Sequence, residues 1–181
     1  MIIKKTYIDD LFILEPQLFK DKRGFFYESY NKNKLDNIIK TNFVQDNQSR
    51  SLKGVIRGLH FQRAPYAQAK LISCVFGKIL DVVVDIRKNS KTFGKIFSIE
   101  LSSKNNKQLF VPKGFAHGFQ VLSDEAIVSY KVDEYYDSDS ECGIIWNDKD
   151  LLIKWDHTIK PILSEKDLKL NSFKDLKFPY K

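Results

Sequence analysis

Residues 70–87 alternate in a way that fits two strands joined by a tight turn. KLISCV runs into Phe76-Gly77-Lys78, and ILDVVVDIR follows. In the second strand Val82, Val84 and Ile86 share one face, and Asp81, Val83, Asp85 and Arg87 share the other, because successive side chains of a strand point to opposite sides. Farther on, Phe97, Ile99 and Leu101 alternate with Ser98 and Glu100. QLFVP, a turn at Pro112-Lys113-Gly114, HGFQVL and IVSYKV continue the series. Short strands with regular turn punctuation predict a mainly β fold, a sandwich or barrel. Helical spacing is sparse. Leu35, Ile38 and Ile39 predict a helix over 34–41, and a second short helix is expected from Ser164. No repeat or low-complexity linker interrupts the chain, so 1–181 reads as a single domain.

Composition narrows the function classes. With 43% hydrophobic residues over 181 positions the chain can bury a core rather than stay disordered. The net charge of +7 is spread along the chain without a Lys/Arg block, which argues against nucleic acid as a partner. The lysine-rich stretch 160–181 is interleaved with acids and reads as a solvated face. Cys74 and Cys142 lack CxxC spacing, so a reducing cytoplasm is expected, with Cys74 packed as a small hydrophobe. The N-terminus has no apolar signal core, and no stretch approaches the ~18 apolar residues of a membrane span. No membrane partner is expected.

The densest polar cluster is 45–62, QDNQSRSLKGVIRGLHFQ. On a strand, Gln45, Asn47 and Ser49 point the same way, and His60 and Gln62 share a face opposite Leu59 and Phe61. Strict alternation would put Arg57 and His60 on opposite faces. They converge only if Gly58 sits in a bulge or bend. His60 is then either a hydrogen-bonded structural histidine or a base. His117 follows the Pro-Gly turn in FVPKGFAHGFQ. Tyr130 shares parity with Val128 and Val132 and by itself reads as a core tyrosine. Ser164 and Asp167 have the spacing of a helix cap, which would explain that aspartate without chemistry. With only His60, His117 and His157, and with His60-Phe61-Gln62 in place of an HxH pair, no metal site is indicated. There is no glycine-rich phosphate loop.

The motifs FKDKRGFFYESY (19–30), QDNQSRS (45–51), VIRGLHFQ (55–62), QAKLISCVFGKILDVVVDIRKNSKTFG (68–94), VPKGFAHGFQVLSD (111–124), YKVDEYYDSDSECGIIWND (130–148) and LSEKD (163–167) span nearly the whole chain. Together they resemble the dTDP-4-dehydrorhamnose 3,5-epimerases. The resemblance implies a cupin-type jelly roll with a few short peripheral helices, usually a homodimer, from the metal-free and cofactor-free branch of the cupins. It implies His60 as the base with Asp167 as its carboxylate partner, Tyr130 as the acid on the opposite sugar face, and Lys70 as the cation near the sugar 4-oxygen. Arg23 and Arg57 match contacts to the diphosphate and sugar. Glu28, Gln45 and Asn47 match polar contacts on the nucleotide side, and His117 a further pocket histidine. Phe19 and Tyr136 match aromatic contacts to the nucleobase.

The implied chemistry suits these residue types. Protons on carbons 3 and 5 flank the 4-keto carbon, so removing either makes an enolate. A fixed cation stabilises that charge, a histidine has the right basicity, and inversion needs a second proton donor on the other face. The substrate class is thus a nucleotide-diphosphate 4-keto-6-deoxy sugar on the way to a surface polysaccharide. Other readings stay open at this point. They are the same double epimerisation on a GDP-linked heptose or another nucleotide sugar, and an enzyme acting at one carbon or as a 3,4-ketoisomerase. Outside the family they are a metal-dependent cupin oxygenase or isomerase, and a non-catalytic sugar-nucleotide binding protein.

Overall fold

The computed structural model describes residues 1–36 and 38–176. Strands β1 (Ile2–Lys5) and β2 (Phe12–Glu15) open the chain, and β3 (Phe19–Asp21) and β4 (Gly24–Phe26) form a separate two-stranded ribbon. After helix α1 (Lys32–Leu35) come β5 (Gln45–Leu52), β6 (Ile56–Gln62), β7 (Lys70–Phe76), β8 (Lys78–Asp85), β9 (Ile96–Ser102), β10 (Gln108–Val111), β11 (Phe115–Val121) and β12 (Glu125–Val132). A short β13 (Glu141–Gly143) follows. One sheet has the order β1-β2-β10-β7-β12-β5 and the other β13-β6-β11-β8-β9. Strands β5 to β12 thus run 5-12-7-10 in one layer and 6-11-8-9 in the other, which is the double Greek key of a jelly roll. The mainly β expectation is met.

The hairpin β7–β8 turns at Gly77, whose φ is +76° and where a Cβ would lie 2.1 Å from the Glu125 carbonyl oxygen. Only glycine fits that turn. Both faces of β8 are buried. Ile79 and Val83 pack between the two sheets with Ile72, Cys74, Leu101 and Val128. Val82, Val84 and Ile86 pack outward under the C-terminal return segment, against Leu151, Ile153 and Trp155. Each such valine contributes about 1.5–2 kcal/mol. A third cluster lies beyond the larger sheet, where Leu35 and Ile39 cover Leu71 and Phe110.

The helical expectations change in detail. The helix expected over 34–41 is α1, which begins earlier, is capped by the Asn31 side chain and ends at Leu35. Leu35 and Ile39 are buried as expected, but Ile38 is exposed. Position 37 lies outside the described residues, as do 177–181 of the lysine-rich stretch. At Ser164 the helix is a single 3-10 turn, Asp167–Lys169, with the Asp167 amide donating to Ser164 Oγ at 3.1 Å. Among the described residues no helix is long and apolar enough to cross a membrane.

Gly58 does what the alternation argument required. In the β6–β11 ladder His117 faces His60, but Phe119 faces Arg57, so Gly118 meets the two residues Gly58 and Leu59. That extra residue is a β-bulge, and it turns Arg57 and His60 toward the same cavity. Gly58 has φ +110°, and a Cβ there would stand 2.6 Å from the His117 carbonyl oxygen and 2.7 Å from Gly118 Cα. Gly58→Ala is therefore expected to destabilise the fold by about 2–3 kcal/mol in urea unfolding. A loss below about 0.5 kcal/mol would show that the bulge relaxes freely and does not set the site.

Candidate active site

Two adjoining cavities open between the sheets and share His60, Lys70 and Tyr130. The deeper one, about 270 Å³, adds Arg57, His117, Ser164 and Asp167. The other, about 150 Å³, adds Gln45, Asn47, Gln62, Tyr136 and Glu141. The inward residues of β5, β6, β7, β11 and β12 therefore meet at one end of the sandwich, above the apolar filling from Ile72, Val83 and Val128. Gln45, Asn47 and Ser49 do face the same way, as period-two alternation required.

His60 and Asp167 are 107 residues apart in sequence and 2.6 Å apart in space, His60 Nε2 to Asp167 Oδ1. The carboxylate is nearly buried, and the imidazole is 29% exposed. Burial by itself would raise the Asp167 carboxyl, but the hydrogen bond and charge of His60, with Ser164, outweigh it and hold the group below its ordinary range. An ionised Asp167 accepts from Nε2–H. That fixes the tautomer and leaves Nδ1 as the basic nitrogen, with no hydrogen-bond partner among the described residues. The hydrogen bond from its amide to Ser164 Oγ and the pairing with His60 coexist, so the two readings of Asp167 are compatible.

Lys70 is the most unusual member. Its side chain is 9% exposed, yet among the described residues no carboxylate lies within 4 Å of its ammonium. Burial pushes it down from 10.5 to about 8, against the opposing pull of Asp81 and Glu141. Tyr130, on the neighbouring strand, is half-buried. Desolvation raises its phenol, Arg57 offsets this in part, and Glu141 adds to it. Its hydroxyl makes no hydrogen bond among the described residues, so it stays a neutral donor available to a ligand.

The remaining expected residues divide into two groups. Arg57 donates from Nε to Ser51 Oγ at 2.9 Å and keeps its outer nitrogens toward the cavity. Tyr136 stands over the mouth, its hydroxyl donating to Glu141 Oε2 at 2.7 Å, and its backbone amide donating to Gln45 Oε1 at 3.4 Å. His117 is buried and paired with Asp81, Nε2 to Oδ2 at 2.8 Å. By contrast, Phe19, Arg23 and Glu28 line neither cavity. Arg23 is 84% exposed and pairs with Asp21 inside the β3–β4 ribbon. Glu28 pairs with Lys34 and accepts from Asn31. Phe19 is exposed on the ribbon beside Phe26.

Glu141 and Lys166 line the cavities without having been singled out in the sequence, whereas Gln62 belonged to the 45–62 cluster. Glu141 joins Tyr136 to Lys166, whose Nζ lies 2.5 Å from Oε2. Burial would raise Glu141, but these two donors hold it below its ordinary range. Gln62 braces the loop under Tyr136 by donating to the carbonyls of Tyr66 and Tyr135 and accepting from the Asp137 amide. Asp81 lies behind His117. The Asp81 position could have been flagged, since a carboxylate in the all-apolar run ILDVVVDIR needs a partner. Glu141 and Lys166 carry no local signal. Among the described residues no group of three His, Cys, Asp or Glu is arranged to hold a metal.

A base held by a carboxylate, a lone buried cation and an unbonded phenol around one cavity suit proton removal next to a carbonyl. Comparison with known proteins points the same way. The family model for dTDP-4-dehydrorhamnose 3,5-epimerase matches residues 5–175. The chain belongs to that family. It is therefore an isomerase. The Escherichia coli (strain K12) dTDP-4-dehydrorhamnose 3,5-epimerase is 52% identical over 178 residues, covering 97% of this chain and 96% of its own. A crystal structure of the Bacillus anthracis enzyme with TDP and PPi bound superposes with a TM-score of 0.92 at 53% identity, over 94% of this chain and 98% of its own. The Legionella pneumophila dTDP-6-deoxy-D-glucose-3,5-epimerase in complex with dTDP-4-keto-L-rhamnose superposes at 0.95 with 43% identity, over 99% of this chain and 98% of its own.

The state of Lys70 predicts an effect on stability. A lysine whose folded pKa is depressed holds fewer protons than the unfolded chain between about 8 and 10.5, so its burial penalty is full below that window and relieved above it. Lys70→Met should therefore be more stable than wild type at pH 7, by about 1–3 kcal/mol in urea unfolding. The gap should close as the pH rises through 8 toward 10. A variant less stable than wild type at pH 7 would mean that the ammonium is better compensated than its surroundings indicate.

Proposed function

We propose that this chain inverts carbons 3 and 5 of dTDP-4-dehydro-6-deoxyglucose, supplying a deoxysugar for surface polysaccharide. The observation that carries the reading is the placement of His60–Asp167, Lys70 and Tyr130 around one cavity. His60 takes the proton from the carbon beside the ketone, the C–H electron pair forms a C=C bond to carbon 4, and the carbonyl π pair moves onto the 4-oxygen; reprotonation of the carbon reverses this. Lys70 stabilises that oxyanion, an interaction stronger in the transition state than in the ground state. Asp167 stabilises the imidazolium. Tyr130 returns a proton to the opposite face of the carbon, regains one from solvent, and His60 releases its proton to solvent. The same sequence serves both carbons, because both adjoin the ketone. No hydride moves, so no redox cofactor enters the scheme. Arg57 contacts the sugar and diphosphate, His117 lines the pocket beside them, Gln45 and Asn47 make polar contacts on the nucleotide side, and Tyr136 covers the nucleobase. Two unpaired thiols, Cys74 and Cys142, suit a cytoplasmic setting.

We further infer that the enzyme is a homodimer in which the β3–β4 ribbon reaches the partner's cavity. Among the described residues the ribbon's two strands pair only with each other, and Phe19, Phe25 and Phe26 are exposed. In that arrangement Phe19, Arg23 and Glu28 complete the nucleotide side of the neighbouring site rather than their own. Mixing inactive Arg23→Ala and His60→Asn chains should then restore activity, since one site of each mixed dimer has both residues intact. No recovery on mixing would return Arg23 to its own chain's site or remove it from binding.

The activity itself is tested by mass spectrometry of dTDP-, GDP- and UDP-linked 4-keto-6-deoxy sugars incubated in heavy water. Two deuterons on the dTDP hexose support the assignment. One deuteron would make this a single-carbon enzyme, and preference for another nucleotide or a heptose would reassign the substrate. His60→Asn should lower exchange at both carbons by about 10²–10⁴-fold while nucleotide binding persists. Tyr130→Phe should exchange protons without completing inversion.

A further inference from the structure

We propose that Asp81, behind the cavity wall, is a positioning residue whose buried carboxylate holds the His117 ring and supplies the counter-charge that keeps Lys70 a cation beside the reacting ketone. This inference rests on the epimerase reading of the site. Asp81 is wholly inaccessible. Its Oδ2 meets His117 Nε2 at 2.8 Å, while Oδ1 is buried and without a hydrogen-bond partner among the described residues. Four residues along the same strand and on the same face, Asp85 is the structural counterpart. Its two oxygens accept from Arg87, Ser90 and Thr92. Asp81 has no such set. It lies between Ile79 and Val83, where a hydrophobic residue would fill the space without a desolvation penalty. A half-satisfied buried carboxylate in such a place is unfavourable for the fold alone, and its use lies in what it does to its neighbours.

Those neighbours are His117 and Lys70. With Nε2 held by Asp81, the other His117 nitrogen has no partner among the described residues, and the ring lines the same cavity as Lys70. Two anions act on the Lys70 ammonium, Asp81 and Glu141. Glu141 is already engaged with Tyr136 and Lys166 at the cavity mouth. Asp81 is the one that is wholly buried, with its free oxygen shielded from water, and in the dry interior its charge acts with little screening. From β6, Lys70 faces His60 and Arg57. From β11 and β12 it faces His117 and Tyr130, from β8 and β13 Asp81 and Glu141, and from the C-terminal segment Asp167 and Lys166. Among these, Asp81 and Glu141 are the carboxylates not occupied with His60. Removing the Asp81 charge therefore leaves Lys70 short of the anion that holds its proton, and frees the His117 ring to turn.

The test is Asp81→Asn, which preserves shape and can still accept from His117. It should bind dTDP with affinity within about twofold of wild type, lower kcat about 30- to 100-fold with little change in KM, and move the high-pH limb of kcat down by about one pH unit. Asp81→Glu, which keeps the charge, should leave that limb in place. An Asp81→Asn enzyme that is merely less stable, with wild-type kcat and an unmoved limb, would reduce Asp81 to a structural residue and overturn the inference. A second measurement needs no variant. In ¹⁵N-histidine NMR of the wild-type protein, His117 should carry its proton on Nε2 throughout the active pH range, and an unprotonated Nε2 would overturn the inference. Failure of the epimerase reading shows separately, as a wild-type protein without exchange on any sugar nucleotide.

Discussion

An ammonium group enclosed in a β-sandwich, without a carboxylate in contact among the described residues, is the constraint that organises this molecule. Lys70 sits at the end of β7, in a strand whose other inward residues, Ile72 and Cys74, belong to the apolar filling. Nothing about a stable sandwich calls for a lysine there. The charge is tolerable only because the surrounding strands contribute polar side chains at the same level: Tyr130 from β12, His117 from β11, His60 from β6 and, one layer behind, Asp81 from β8. The inner face of the jelly roll thus divides into an apolar half that holds the sheets together and a polar half that pays for nothing in stability. The polar half suits a ligand that brings its own negative charge to the cation, as the proposed enolate would.

The second constraint is geometric. The proposed reaction, which removes a proton from one face of a sugar and returns it to the other, would need a base and an acid on opposite walls. Here the two walls are the two sheets, with His60 on β6 in one and Tyr130 on β12 in the other. Regular pairing of β6 would have sent Arg57 to the outer surface. The bulge opposite Gly118 adds one residue and brings it back, and glycine at 58 is the residue that lets two strands approach so closely. The base also needs a carboxylate from a distant part of the chain. The return segment delivers it. Gln120, buried in β11, donates to the Asp156 carbonyl and accepts from its amide, Ile162 bridges Val55, and Ser164 Oγ accepts from the Asp167 amide. Trp155, Leu151 and Ile153 bury that segment against the outer face of β8. The packing of the second core is therefore what fixes the position of Asp167, and through it the orientation of His60.

Much of this was legible in the sequence where the cause is local. Gly77 between two alternating runs marked the β7–β8 hairpin, alternation put Gln45, Asn47 and Ser49 on one face, and Gly58 was marked as the position where alternation had to fail. Ser164 still accepts from the Asp167 amide, but the helix is one 3-10 turn that starts at Asp167 with Lys166, not Ser164, in the N-cap position. What was not legible has causes outside any local window. The helix expected over 34–41 is short because burial is demanded of Leu35 and Ile39 only, to cover Leu71 and Phe110, while Ile38 faces solvent. Glu141 and Lys166 meet because β13 pairs with β6 and the C-terminal segment returns beside it, a contact hidden by a sequence separation of 25. The roles of His60, Lys70, Tyr130 and Asp167 came from resemblance rather than from pattern. Pattern alone left a structural histidine open and favoured a core tyrosine.

The ribbon β3–β4 shows the limit of reading a site from one chain. Its sequence is among the family-like motifs, and Phe19, Arg23 and Glu28 were expected beside the substrate, yet the ribbon stands apart with three phenylalanines in solvent. A two-stranded ribbon has too little buried surface to be stable by itself. Its aromatic face needs a surface to cover, and the polar half of the sandwich needs a lid on its nucleotide side, where Gln45, Asn47 and Tyr136 form only one wall. Both needs are met by one arrangement, a second copy related by a two-fold axis, because such an interface places each ribbon on the other protomer in the same way. In the proposed homodimer, association of the two chains and completion of the binding site would be the same event, and substrate affinity would be a property of the assembled pair.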